Sequence, residues 1–175
     1  MIKIDDVSFS YPKESRKVLN NVSITFEKGA LNIILGLNGA GKTTLFDLMT
    51  GAYPINNGRI LNMPNQTDII YLTQSGFMSF LLEGKDYIRL VFKVSGFPFI
   101  DDIKKMEELM NFENERESEL FRELWKKRIG QMSVGERRWL YVTTLSQLDK
   151  KVYIFDEPTT GIDPSSRIKI YRRLH

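Results

Sequence analysis

GLNGAGKT, at residues 36–43, fits the pattern G-x-x-x-x-G-K-[S/T] and carries an extra glycine at position 39. Glycines let the backbone curl so that its N–H groups point at phosphate oxygens. The lysine of this pattern reaches the β- and γ-phosphates, and the hydroxyl after it ligates Mg²⁺. The predicted nucleotide contacts are Gly36, Asn38, Gly39, Ala40, Gly41, Lys42, Thr43 and Thr44. Lys42 is also predicted to act in catalysis, and Thr43 to ligate Mg²⁺.

The neighbouring segments supply the strand–loop–helix context that this pattern requires, which disfavours a chance match. LNIIL, at 31–35, is a continuous apolar run, and it predicts a strand buried on both faces. A helix is predicted from about residue 42 to 50, with Leu45, Leu48 and Met49 on its inward face. Its N-terminus would direct the positive end of the helix dipole at the phosphates.

The rest of the chain alternates between strand-like and helix-like patterns. Strands are predicted at 2–9 and 22–26 from alternating apolar residues, and at 68–74 and 151–155 from apolar runs. A charged, amphipathic stretch at about 84–128 predicts helices. We therefore expect one α/β domain over residues 1–175. Its P-loop NTPase core would have a mainly parallel sheet and an N-terminal antiparallel β part, with a helical subdomain inserted at about 84–145.

Composition excludes several classes of protein. The chain has 175 residues, of which 42% are hydrophobic and 27% charged, as in ordinary globular domains. A net charge of +3 is too small to indicate a nucleic-acid partner, and the absence of cysteine excludes disulfides and thiolate sites. No apolar stretch approaches the roughly 20 residues needed to span a bilayer. A soluble chain is expected, which would reach a membrane only through a partner.

Two acidic residues end the strand-like run VYIFDE at 152–157. Asp156 is expected to hold Mg²⁺, and Glu157 to polarise the attacking water as a general base. The alternative is a strand that simply ends in acidic surface residues. The presence of a phosphate-binding loop in the same chain favours the catalytic interpretation.

MSVGE, at 132–136, lies 24 residues before Glu157 if counted from its serine (157 − 133 = 24). Here the chain resembles the ABC ATPases, which carry an LSGGQ-like signature at the start of a helix shortly before the acidic strand. Ser133 and Gly135 match, whereas Met132, Val134 and Glu136 depart from the consensus. The resemblance implies that this motif contacts the γ-phosphate of ATP across a head-to-tail dimer. The alternative is an ordinary N-capped helix.

Three further positions match the family. Gln74 corresponds to a glutamine that contacts Mg²⁺ and senses the membrane partner, although it could be an ordinary polar residue at a strand end. Tyr11 stands where an aromatic ring stacks on adenine, and packing is its alternative role. Asp163, in PTTGID at 158–163, corresponds to an acidic loop residue. It also precedes Pro164 as a helix N-cap would.

The resemblance is incomplete at the C-terminal side. The family has a histidine that contacts the γ-phosphate after a further strand. Only 18 residues follow Glu157 (175 − 157 = 18), and a parallel crossover needs about a dozen or more. His175 is therefore expected to be a solvated helix residue. We expect a chain that is short of its final strands, with an uncovered sheet edge that promotes self-association.

The resemblance implies a cytoplasmic ATP-hydrolysing subunit of an ABC transporter, with ATP and Mg²⁺ as cofactors and an exporter as the favoured type. It implies two partners: a membrane-spanning permease, and a second ATPase subunit, identical or paired. The apolar stretch GFMSFLL at 76–82 is a candidate permease surface, unless it packs inside the helical insertion.

Other functions were weighed. A soluble ABC ATPase of translation or DNA repair usually has tandem domains or coiled coils, and none is visible. A GTPase should carry N-K-x-D, which the sequence lacks. A non-catalytic ATP-binding regulator is disfavoured because Lys42, Asp156 and Glu157 are all present.

Overall fold

The computed structural model describes residues 1–74 and 78–159, together with residues 167 and 170. They fall into two compact units. Residues 1–73 and 150–156 form the first, and residue 74 to residue 149 with those from Glu157 onward form the second. The first unit contains β1 (Ile2–Phe9), β2 (Leu19–Phe26), α1 (Lys42–Met49), β3 (Asn57–Leu61), β4 (Ile69–Leu72) and β5 (Val152–Phe155). The second contains α2 (Gly84–Ser95), α3 (Ile103–Met110), α4 (Glu115–Lys126) and α5 (Val134–Leu145).

The first three strands form an antiparallel sheet in the order β2-β1-β3. β1 lies in the centre, and its Ile4 pairs with Ile24 on one side and with Ile60 on the other. Ile4, Val7 and Phe9 are buried, as the apolar pattern of this strand predicts. The predicted antiparallel β part is therefore confirmed, and β3 is an additional strand that the sequence pattern did not indicate.

A second sheet pairs β4 with β5 in parallel, from Ile69 opposite Val152 to Leu72 opposite Phe155. Both strands were predicted. The ladder continues one residue further, because the Asp156 N–H donates to the carbonyl of Leu72 at 2.9 Å. This bond fixes the backbone at the point where β5 ends and the acidic pair begins.

The prediction of a buried strand at 31–35 is wrong. The segment is not a strand, and Ile33 and Leu35 are 69% and 88% exposed. Ile34 is partly buried and packs against the apolar core of the first unit. A strand buried on both faces needs a neighbouring strand and covering layers, and no strand among the described residues pairs with 31–35. Apolar composition alone therefore gave the wrong burial.

Among the described residues, the second unit contains four helices, and the amphipathic pattern predicted helices in this part of the chain. α2 ends at Gly96, whose left-handed φ of 72° suits glycine. Asp102 and Asn114 cap α3 and α4 by accepting backbone hydrogen bonds from Lys105 and Glu117. The apolar faces enclose large buried side chains, among them Ile88, Phe92, Met106, Phe121, Leu124 and Trp139.

No helix among the described residues is both long enough and apolar enough to cross a bilayer. The helix predicted from Asp163 onward begins outside the described residues.

The exposed apolar segment 31–37 is predicted to promote self-association. Leu35→Ser should reduce the aggregated fraction severalfold, because it places a polar side chain in an unpaired, extended apolar stretch. Light scattering at increasing protein concentration measures the effect. Val94→Ser is the matched control, since Val94 is equally exposed but lies on α2. Equal aggregation of the Leu35→Ser variant and the unmodified chain would contradict the prediction.

Candidate active site

The predicted phosphate loop curls immediately before α1. Gly39 and Gly41 have left-handed φ angles of 79° and 91°. A Cβ atom at Gly41 would lie 2.8 Å from the side chain of Leu19, so both conformation and space require glycine there. The Lys42 ammonium donates to the carbonyls of Gly36 and Leu37 at 2.9 and 3.1 Å. The lysine therefore lies against the loop in which the phosphates are expected.

The structure brings together two residues that the sequence separates by 113 positions. The Thr43 hydroxyl donates a hydrogen bond of 2.6 Å to Oδ2 of Asp156. Asp156 is only 1% exposed, and an unpartnered carboxylate at such a position would be costly. This bond connects the start of α1 with the end of β5. It places two of the three predicted Mg²⁺ contacts, Thr43 and Asp156, side by side.

The donor set fits Mg²⁺. Hydroxyl and carboxylate oxygens are the ligands that hard cations prefer. No cluster of three or more His, Cys, Asp or Glu side chains suited to a metal occurs within residues 1–74 and 78–159. Mg²⁺ is commonly held by one or two carboxylates, water and substrate phosphates rather than by an all-protein cage. Thr43 and Asp156 are therefore sufficient as the protein's share of such a site.

Tyr11 lies next to the phosphate loop. Its hydroxyl is 2.9 Å from the hydroxyl of Thr44. Its ring meets Phe9 and Tyr53 edge to face, with centroids 5.2 and 5.3 Å apart. A cavity of about 520 Å³ borders this aromatic cluster, and Lys17 is among its lining residues. Tyr11 thus packs within the first unit, contacts α1 through Thr44 and also borders a cavity.

Gln74 and Glu157 meet in the second unit. The Gln74 amide nitrogen Nε2 donates to Oε2 of Glu157 at 3.1 Å. Glu157 has a left-handed φ of 47°, which costs a non-glycine residue of the order of 1–3 kcal/mol. Such strain persists only where the surroundings fix it, and it clusters at functional sites.

Arg138 is a residue that the sequence analysis missed. It is buried on α5, and its guanidinium Nη2 donates to the backbone carbonyl of Gln74. A charged group donating to this carbonyl restrains the backbone from which the Gln74 side chain extends. The only available signal was an arginine on the inward face of a predicted helix.

The signature motif forms the predicted helix start. Ser133 is the N-cap of α5, and its hydroxyl accepts from the Glu136 N–H at 3.2 Å. Glu136 Oε2 in turn accepts from the Ser133 N–H at 2.6 Å, which completes a capping box. Gly135 lies in the same first turn. The matched signature residues are therefore held at a helix N-terminus, where backbone N–H groups suit an anion.

Lys127 is a second residue that the sequence analysis missed, and it contacts the signature motif. Its ammonium lies 2.9 Å from Oε1 of Glu136. Burial alone would raise the pKa of Glu136, but the hydrogen bonds from Lys127 and from the Ser133 backbone lower it below its usual value. Glu136 therefore stays ionised. Of the remaining predicted residues, Asp163 and His175 lie outside the described residues.

Comparison with known proteins identifies the family of this chain. Residues 19–160 match the family model described as ABC transporter. Protein McbF of Escherichia coli is 28% identical over 100% of this chain and 70% of its own length. The putative ABC transporter ATP-binding protein AlbC of Bacillus subtilis is 28% identical over 99% of this chain and 75% of its own. The energy-coupling factor transporter ATP-binding protein EcfA1 of Mesomycoplasma hyopneumoniae is 28% identical over 99% of this chain and 66% of its own length.

Solved structures show the same fold. A putative ABC transporter ATP-binding protein from Pyrococcus furiosus superposes with a TM-score of 0.77 at 23% identity, covering 99% of this chain and 83% of its own. MJ0796, a bacterial ABC transporter cassette described as dimeric, gives a TM-score of 0.75 at 17% identity, covering 99% of this chain and 81% of its own. The phosphate loop, the acidic strand end and the family match agree, and the chain therefore belongs to the ABC transporter family as one of its ATP-binding ATPase domains.

Proposed function

We propose that this chain binds and hydrolyses Mg²⁺-ATP to drive transport through a membrane-spanning permease partner. The observation that carries the proposal is the hydrogen bond between Thr43 and Asp156. It joins the phosphate loop to the acidic strand end, as a Mg²⁺-nucleotide site requires. The two compact units are proposed to act as one ATP-binding domain.

The first unit supplies the proposed nucleotide contacts. Backbone N–H groups of the curled loop at 36–41 bind the phosphate oxygens, and the Lys42 ammonium neutralises charge on the β- and γ-phosphates. Mg²⁺, when bound, would offset the negative charge that develops on these phosphates. Thr43 and Asp156 hold it through their oxygens. Tyr11 stacks on the adenine ring, for which its position beside Thr44 and a cavity is suitable.

Glu157 and Gln74 are proposed to act on the attacking water. The Glu157 carboxylate accepts a hydrogen bond from Gln74, and we propose that it also accepts a proton from the attacking water. Gln74 is also proposed to contact the Mg²⁺ coordination sphere. The left-handed backbone at Glu157 is consistent with a catalytic position, because strain of this kind is retained where it serves function.

Glu157→Gln in the full-length subunit should preserve ATP binding and slow hydrolysis by about 10²–10⁴, the usual contribution of a general base. Phosphate release under saturating Mg²⁺-ATP measures the rate. Glu119→Gln, the same chemical change at an exposed position on α4, should leave the rate unchanged. Turnover in the Glu157→Gln variant within a few-fold of the unmodified subunit would exclude Glu157 as the base.

Pairing of two ATPase subunits is proposed to complete each site. Ser133 and Gly135, at the N-terminus of α5, would contact the γ-phosphate held by the second subunit. The fold of this chain is shared by a cassette described as dimeric. The partner is proposed to be either a second copy or a related ATPase subunit.

The transporter is proposed to be an exporter, on the basis of the loose signature MSVGE and the stretch EPTTGIDP at 157–164. The relatives include an energy-coupling factor transporter protein as well as a putative ABC transporter protein. The direction of transport therefore rests on the two sequence stretches alone. We propose that the chain acts in the cytoplasm, at the inner face of the cell membrane, where the permease partner holds it.

The proposed permease surface lies just before α2. Phe80 and Leu81 are 58% and 79% exposed, which argues against burial of these two side chains inside the helical unit. Phe77, from the same stretch, lies outside the described residues. The Arg137 guanidinium lies 5.7 Å from the centre of the Phe80 ring and holds that ring at the surface. Two adjacent exposed apolar side chains of this size fit a protein partner.

Phe80→Ser should reduce co-purification of the permease about tenfold or more, because exposed aromatic residues dominate the energy of small interfaces. Retention of the subunit on detergent-solubilised membranes, quantified by immunoblot, measures the loss. Val94→Ser is the control, as an exposed apolar residue on α2, outside the proposed surface. Unchanged co-purification in the Phe80→Ser variant would contradict the proposed surface.

A further inference from the structure

The signature motif carries a negative charge close to the place where a nucleotide is proposed to bind. Glu136 lies in the first turn of α5, and its carboxylate is 2.6 Å from the backbone nitrogen of Ser133. A triphosphate that approaches Ser133 from a second subunit would meet this carboxylate. Two like charges at a few ångströms repel each other, most strongly when water is excluded between two protein surfaces. An acidic residue at this position therefore requires an offsetting cation.

Lys127 supplies that cation. It directly follows α4, and its ammonium contacts Glu136 at 2.9 Å and Glu123 at 3.0 Å. Its backbone is held at the same time, because the Gly84 N–H donates to the Lys127 carbonyl at 3.0 Å. The hydrogen bond to Glu136, followed by that to Glu123, raises the pKa of Lys127. Both members of the pair are therefore charged at neutral pH.

Arg137, a second cation near the signature motif, donates hydrogen bonds to the backbone. Arg137 donates to the backbone carbonyls of Met132 and Ile129, at 2.7 and 3.4 Å. Its guanidinium thus braces the loop before α5. Within the described residues, the ion pair of Glu136 is made with Lys127. The capping box itself does not need the charge, because glutamine accepts the same backbone hydrogen bond.

We propose that Lys127 is a positioning residue for the signature motif, which neutralises Glu136 so that the nucleotide triphosphate of a second subunit can approach Ser133 and Gly135. This inference rests on the proposed function, in which two subunits pair around ATP. It assigns the Lys127–Glu136 pair a role in pairing rather than in folding alone.

The test uses the full-length subunit that carries Glu157→Gln, so that ATP is retained. Dimer formation is followed by light scattering as Mg²⁺-ATP is added. Lys127→Met should weaken ATP-dependent dimerisation about tenfold, since roughly one uncompensated like charge acts at the interface. Lys126→Met, the same change at the exposed neighbouring residue, should have no effect. Lys127→Arg keeps the charge and should retain dimerisation.

The decisive comparison is the rescue. Glu136→Gln alone should not weaken dimerisation, and Glu136→Gln combined with Lys127→Met should return it to within about twofold of the parent. Equal weakening by Glu136→Gln and Lys127→Met would show that the ion pair acts only as a structural bridge and would overturn the inference. So would a Lys127→Met variant that dimerises like Lys126→Met. If the parent itself stays monomeric with saturating ATP, the proposed subunit pairing is wrong and this inference falls with it.

Discussion

The hydrogen bond between Thr43 and Asp156 is the constraint on which the candidate site depends. Asp156 is almost completely buried, and a carboxylate in that position needs a partner to offset its loss of hydration. The Thr43 hydroxyl provides one at 2.6 Å. The backbone N–H of Asp156 is satisfied separately by Leu72. The sheet end and the first turn of α1 are thereby fixed to each other in the first unit.

From this contact the neighbouring features follow. Thr43 lies in the first turn of α1, directly after Gly41 and Lys42, so the curled loop is fixed together with the hydroxyl. The next residue, Thr44, contacts the hydroxyl of Tyr11, which positions the aromatic cluster of Tyr11 and Tyr53 against the same helix. A single short polar contact therefore relates the phosphate loop, the acidic strand end and the candidate adenine platform.

Much of this arrangement could be predicted from the sequence, because local patterns determine it. The glycine spacing, the alternating strands and the N-cap at Ser133 each depend on neighbours within a few residues. β3 could not be found in this way. Its first three residues, Asn57, Gly58 and Arg59, are exposed and give no apolar pattern. A Cβ at Gly58 would lie 2.3 Å from the carbonyl of Asp6. A glycine is needed at position 58 because β3 approaches β1 closely there. This requirement comes from a contact between residues distant in sequence.

Dependence on long-range contacts also explains the other features that the sequence did not predict correctly. Burial of 31–35 was inferred from apolar composition, but burial depends on which strands and layers lie alongside. Tyr53, Arg138 and Lys127 have no distinctive local pattern, and their relevance arises only from contacts with residues distant in sequence or in a separate element. The roles of Gln74 and Tyr11, in contrast, came from the family resemblance rather than from periodicity, and the contact between Gln74 and Glu157 was not predicted.

The central claim, that the loop at 36–43 is the nucleotide-phosphate site, is tested most directly by calorimetric titration of Mg²⁺-ATP. The unmodified chain should bind, and Lys42→Ala should bind about 10–100-fold more weakly. The reason is that the substitution removes the ammonium that faces two phosphates, and a charge-assisted hydrogen bond contributes about 1.5–3 kcal/mol. Lys104→Ala, a change of the same charge at an exposed position on α3, serves as the control. Equal ATP affinity in the Lys42→Ala variant and the unmodified chain would contradict the account.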